Sequence, residues 1–200
     1  MASPTRGSEP SAWNVPNALT TSRILLVPVF GWLLLHDDGE SFVFRVLAFA
    51  VFVGANLTDQ LDGHIARSRD QVTSFGKLVD PLADKALIGV GFVGLSLLGE
   101  LAWWVTILVL ARELVITALR VWVIRRGVII AASQGGKLKT VLQAVALAGY
   151  ILPLGGIWHG VAVVVMAAAV VVTLTSGLQY LRQSYSASKL APATGGSLRG

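Results

Sequence analysis

Six mostly apolar runs, each near the length needed to cross a bilayer, leave this chain very few architectures. A helix must carry roughly 17–25 mostly apolar residues to span the hydrocarbon. In that medium only helices or closed barrels satisfy their own backbone. The runs are expected at about Leu19–Leu35, Phe42–Ala66, Asp80–Leu98, Leu101–Ile124, Leu138–Leu154 and Trp158–Leu181. Breaks separate them at Asp37-Asp38-Gly39-Glu40, Gly99-Glu100, Arg125-Arg126-Gly127 and Gly155-Gly156. Only 14% of the residues are charged, against about 25% in an ordinary soluble domain. A soluble bundle of six such helices would have almost no polar exterior. The expected fold is therefore an all-α integral membrane protein with six transmembrane helices, approached by a short N-terminal amphipathic helix containing Trp13, Val15 and Leu19. Residues 13–185 form one domain, and residues 1–12 and 186–200, rich in Ser, Gly and Ala, are expected to be flexible ends. Met1–Pro16 is polar, so no cleavable signal peptide is expected. With no cysteine, disulfides and thiolate metal sites are excluded.

Lysine and arginine give the orientation. Arg67, Arg69 and Lys77 lie between the second and third runs; Arg125, Arg126, Lys137 and Lys139 between the fourth and fifth; Arg182, Lys189 and Arg199 after the sixth. The alternate loops carry Asp37, Asp38, Glu40, Glu100 and His159, with Arg45 as the basic exception. Both termini are thus expected in the cytoplasm. The net charge of +5 is spread between apolar runs rather than gathered in a block, so nucleic acid is not the expected partner.

Against this background the carboxylates at the end of the second run stand out, because charge beside a spanning segment is costly unless paired or metal-bound. Residues 59–84 spell D-x2-D-G-x2-A-R-x8-G-x3-D-x3-D. On a helix Asp59, Asp62, Gly63 and Ala66 share one face, with Asp59 and Asp62 roughly 4.5 Å apart in height. Asp80 and Asp84 are likewise i, i+4. Asp80-Pro81 also reads as a helix start, so the third helix begins near Asp80, or near Gly76 with a kink. Four carboxylates without cysteine or a suitably spaced histidine form a hard oxygen site, favouring Mg²⁺ or Mn²⁺ over zinc. Gly63 and Gly76 clear space for a nucleotide to approach the backbone, and Arg67 offers a forked cation to a diphosphate. The competing reading is an ion-pair cluster of Asp59 and Asp62 with Arg67 and Arg69, but four acids exceed what those cations need.

The block resembles the signature of the CDP-alcohol phosphotransferases, and the resemblance extends from about Asn17 to Arg182. It implies a membrane enzyme that passes a phosphatidyl group from a CDP-linked lipid to an alcohol and releases CMP. It implies two divalent ions held by Asp59, Asp62, Asp80 and Asp84, with Asp84 also the general base. Asp59, Asp62, Gly63, Ala66, Arg67 and Gly76 would then line the nucleotide pocket, and the resemblance also implies a homodimer. Asn17-Ala18-Leu19-Thr20-Thr21-Ser22-Arg23, Arg112-Glu113 and Gly136-Lys137-Leu138-Lys139-Thr140 resemble the bacterial phosphatidylglycerophosphate synthase branch. That branch implies CDP-diacylglycerol and sn-glycerol 3-phosphate as substrates, at a site facing the cytoplasm from the inner membrane.

The remaining intramembrane charges bear on the acceptor. An arginine at the centre of a spanning helix costs at least ~2.5–3.5 kcal/mol without a partner, and Arg112 sits there beside Glu113. Arg112, Lys137, Lys139 and Arg182 are the candidates for binding an acceptor phosphate; the bland alternatives are a local Arg112–Glu113 pair and lysines that anchor the helix to anionic lipid. A phosphatidylinositol-phosphate or cardiolipin synthase of the same fold is the nearest rival, and a metal-ion transporter a remote one. The acids gather at one face, whereas a transport path wants polar groups spread across the bilayer.

Overall fold

A computed structural model describes the backbone of residues 15–68, 74–125 and 134–190, with side chains described for 21–58, 85–123 and 135–184. Among the described residues the structure is all helical. It divides into two compact units, residues 1–100 with 150–154, and residues 101–149 with 155–200.

In the first unit α1 (Val15–Leu35) packs on both α2 (Phe42–Ser68) and α3 (Ser74–Leu97). Of the residues expected in an N-terminal amphipathic helix, Val15 and Leu19 belong to α1, and Trp13 lies outside the described residues. Phe30, Leu34, Phe52, Phe92 and Leu95 fill the space between the helices, and the Phe30 and Phe52 rings lie 5.4 Å apart. Glycine permits the close approach of α1 to α3. A Cβ on Gly94 would lie 2.6 Å from Leu34 Cδ2, and one on Gly31 would lie 3.1 Å from Val90 Cγ1.

The α1–α2 turn, His36–Gly39, is unusually tight. Asp37, Asp38 and Gly39 take φ of 54°, 50° and 75° in succession, a left-handed conformation that aspartate tolerates better than most residues and glycine best. The His36 and Phe44 rings stack 3.8 Å apart across the turn, and Trp32 meets Phe44 edge-on at 5.7 Å. Just beyond, Arg45 is buried. Its Nε donates to the Ile151 carbonyl at 2.9 Å, and its Nη2 donates to the Tyr150 carbonyl and to Glu100 Oε2, each at 2.7 Å. These carbonyls close α5, where no helical partner remains for them.

The second unit contains α4 (Trp103–Arg125), α5 (Gln134–Ile151, through Gly149) and α6 (Ile157–Leu190). α4 packs on α6. α5 meets α6 at Gly149, where a Cβ would lie 2.9 Å from that of Ala162. Gly156, with φ of 64°, precedes α6, and α6 continues past Leu181 to Leu190, into the stretch expected as tail.

By length and composition, the described residues contain one helix able to cross a membrane, Ile157–Ser184, with mean hydropathy 2.4. Phe42–Thr58 and Lys85–Leu97 are shorter apolar stretches. Many large apolar side chains face outward, among them Leu25, Leu114, Trp158 and Val164.

Candidate functional site

The aspartate block occupies the end of α2 and the start of α3, two helices in contact within one unit. The backbone is helical through Asp59, Asp62, Gly63, Ala66 and Arg67, so their i, i+3, i+4, i+7 spacing applies without interruption. α3 starts at Ser74, ahead of both Gly76 and Asp80, and continues through Pro81. Asp80 and Asp84 are therefore successive turns of one helix rather than a cap and its follower. The side chains of Asp59, Asp62, Asp80, Asp84, Arg67 and the other residues of the block lie outside the described residues.

Next to the block, Thr58 helps to line a cleft of about 240 Å³ between α1 and α2. Ser22, Arg23, Leu26 and Val51 line it too. The Thr58 hydroxyl donates to the Gly54 carbonyl at 2.7 Å, the usual self-satisfaction of a hydroxyl on an apolar helix.

The second unit holds a polar seam. Arg112 Nη1 donates to Glu113 Oε1 at 3.0 Å, and Lys139 Nζ donates to that same oxygen. The other edges of the guanidinium are held by α6: Nε donates to the Thr173 carbonyl at 3.2 Å and Nη2 to Ser176 Oγ at 2.9 Å. Gly177 makes room for this seat, since a Cβ there would lie 3.2 Å from Arg112 Nε. One turn along α5 from Lys139, Gln143 Nε2 donates to Thr173 Oγ1 at 2.9 Å. Lys139, Gln143, Thr173 and Ser176 are all buried. Two cations thus converge on one carboxylate in a buried polar seam, where pairing and the added hydrogen bonds offset part of their desolvation cost.

Of the four expected acceptor residues, the structure brings Arg112 and Lys139 together and does not bring in the other two. Lys137 and Arg182 are exposed, whereas Lys139 is buried. Two residues apart on a helix means about 200° of rotation, so Lys137 and Lys139 cannot face the same way. Arg120, one face removed, lies 5.7 Å over the Tyr180 ring. Sequence reasoning missed the roles of Thr173, Ser176 and Gln143. The signal was present: Thr173 and Ser176 are i, i+3 within an apolar run, and Gln143 follows Lys139 at i+4.

Comparison with known proteins places the chain among related sequences. A sequence model of a family described as CDP-alcohol phosphatidyltransferase matches residues 13–175. A probable phosphatidylglycerophosphate synthase of Mycobacterium tuberculosis (strain H37Rv) is 52% identical over 171 residues, covering 86% of this chain and 81% of that protein. The CDP-diacylglycerol–glycerol-3-phosphate 3-phosphatidyltransferase of Bacillus subtilis (strain 168) is 34% identical over 189 residues, covering 88% and 98%. The protein of the same name from Shigella flexneri is 39% identical over 175 residues, covering 84% and 93%.

Proposed function

The chain belongs to the CDP-alcohol phosphatidyltransferase family, and from that membership we propose that it transfers a phosphatidyl group from CDP-diacylglycerol to sn-glycerol 3-phosphate, giving phosphatidylglycerophosphate and CMP. The observation that carries the reading is the intact block on two adjoining helices, α2 and α3, whose backbones stay helical through every specified position. The names of the relatives in M. tuberculosis, B. subtilis and S. flexneri support the donor and the acceptor.

Asp59, Asp62, Asp80 and Asp84 fit a pair of divalent ions, Mg²⁺ or Mn²⁺, because they supply only hard oxygen donors at one-turn spacings. When bound, such ions neutralise the diphosphate and the departing CMP. The chain's own groups do the rest. Asp59 and Asp62, with Gly63, Ala66, Arg67 and Gly76, cradle the nucleotide. Asp84 accepts the acceptor's hydroxyl proton as that oxygen bonds to the phosphatidyl phosphorus and the bond to CMP breaks. Arg112 and Lys139 hold the acceptor phosphate, while Lys137 and Arg182, both exposed, draw the anion toward the site from solvent. Orientation and fixed charge supply most of the rate.

The setting is a bilayer. Six spans, termini and active site on the cytoplasmic side of the inner membrane, and a homodimer complete the proposal. The outward-facing apolar side chains and the basic loops support it. Supplying purified protein with CDP-diacylglycerol and each acceptor in turn tests it: CMP release should need sn-glycerol 3-phosphate, and release with inositol phosphate alone would overturn it.

A further inference from the structure

We propose that Glu113 is a positioning residue for the anionic acceptor, setting the two cations that receive its phosphate. The inference rests on the reading of Arg112 and Lys139 as acceptor ligands and adds a residue that reading does not contain.

Glu113 occupies an unusual place. Its Oε1 takes hydrogen bonds from Arg112 Nη1 and Lys139 Nζ at once, so one oxygen joins a residue of α4 to a residue of α5. The carboxylate is about one-fifth exposed, and the two cations less. Arg112 is already fixed against α6 through Thr173 and Ser176, so a local pair with Glu113 is not needed to satisfy it. Lys139 is different. It has a flexible four-carbon stem, and the Glu113 carboxylate holds its end beside the guanidinium. Two like charges brought this close in a poorly hydrated interior repel strongly. Removing the carboxylate charge takes away the shared acceptor that offsets this repulsion, so the spacing of the two cations that receive the phosphate is no longer set by Glu113. With Glu113 in place the trio carries a net single positive charge, which leaves attraction for a phosphate dianion without leaving either cation uncompensated.

The test uses the full-length chain purified in detergent–lipid micelles, with parent, Glu113→Gln, Glu113→Asp and Lys139→Ala compared. Charge-assisted hydrogen bonds are worth roughly 1.5–3 kcal/mol, so Glu113→Gln should raise the acceptor KM about tenfold or more. The donor KM should stay within about twofold. Preference for sn-glycerol 3-phosphate over uncharged glycerol should fall by a similar factor. Glu113→Asp, which keeps the charge but withdraws it by one methylene, should be intermediate. If Glu113→Gln does not accumulate, Glu113→Asp decides alone by the same split between the two KM values.

Equal rises in both KM values, a fall in kcat with both unchanged, or a lower acceptor KM would each overturn the positioning role. Lys139→Ala separates the two layers. If it leaves the acceptor KM untouched, the acceptor assignment itself falls. If it raises that KM while Glu113→Gln does not, only the role of Glu113 falls.

Discussion

Arg45 and Glu100, 55 positions apart in the chain, meet at 2.7 Å, and the arginine is the most deeply buried charge in the first unit's polar clamp. A membrane-orientation rule would count Arg45 as an exception among acidic loops. Its partners explain it. The side chain is committed inward to Glu100 and to the Tyr150 and Ile151 carbonyls.

Replacing that arginine should therefore damage folding and spare chemistry. Arg45→Met leaves two buried carbonyls short of a donor, at about 1–3 kcal/mol each, while Glu100, one-third exposed, can hydrate. Thermal unfolding in detergent should show a clearly lowered midpoint. Both KM values of the surviving folded fraction should be unchanged.

The acids at the α2–α3 junction are expected to behave oppositely. Asp62→Asn and Asp80→Asn should insert and fold normally yet lose CMP release by at least about 100-fold, the scale seen when one preorganised electrostatic element is removed. Chelation of divalent ions should abolish release in the parent, and added Mg²⁺ or Mn²⁺ should restore it. An Asp80→Asn protein as fast as the parent would end the metal assignment.

Lys137 and Lys139 provide an internal control two residues apart. Lys139→Ala should raise the acceptor KM by about tenfold, consistent with loss of a charge-assisted contact. Lys137→Ala, on the exposed side, should raise it no more than about threefold, since a solvated charge contributes about 0–1 kcal/mol. Titrating sn-glycerol 3-phosphate at saturating donor measures both.

Gly177 gives a steric probe of the same seam. A methyl there would stand 3.2 Å from Arg112 Nε, and the guanidinium is held by three bonds that limit its retreat. Gly177→Ala should thus raise the acceptor KM several-fold while lowering the thermal midpoint by several degrees, overpacking typically costing about 1–3 kcal/mol. An equal shift in donor KM would point to general loosening instead.

Helix existence was readable from the apolar runs, and the breaks at Asp37-Asp38-Gly39, Gly99-Glu100 and Gly155-Gly156 all fall between helices. Ends were harder where two physical rules competed. Asp80-Pro81 fits an N-terminal cap as well as a helix interior, and the structure takes the interior from Ser74 onward. α6 outlasts its most apolar stretch, and Ser184, beyond Leu181, is still buried on it. For the site, charge singled out Arg112, Lys137, Lys139 and Arg182 alike, but pairing depends on rotation about the helix axis and on which neighbour supplies the counter-charge. Periodicity separates Lys137 from Lys139; it does not reveal that Glu113 serves both cations, because that meeting joins α4 to α5.

The left-handed turn at Asp37–Gly39 has a bearing far from where it sits. α2 leaves it at Phe42 and reaches Asp59 about 26 Å later at 1.5 Å per residue, with no break in the helix between. A Cβ on Gly39 would press within 2.9 Å of Leu98, so the hairpin has little freedom to twist. Because an α-helix turns about 100° per residue, adding or removing one residue near Ser41 would swing the acids at its far end to another compass bearing. Loss of activity from so remote a lesion would be a matter of aim, with every ligand still present in the chain.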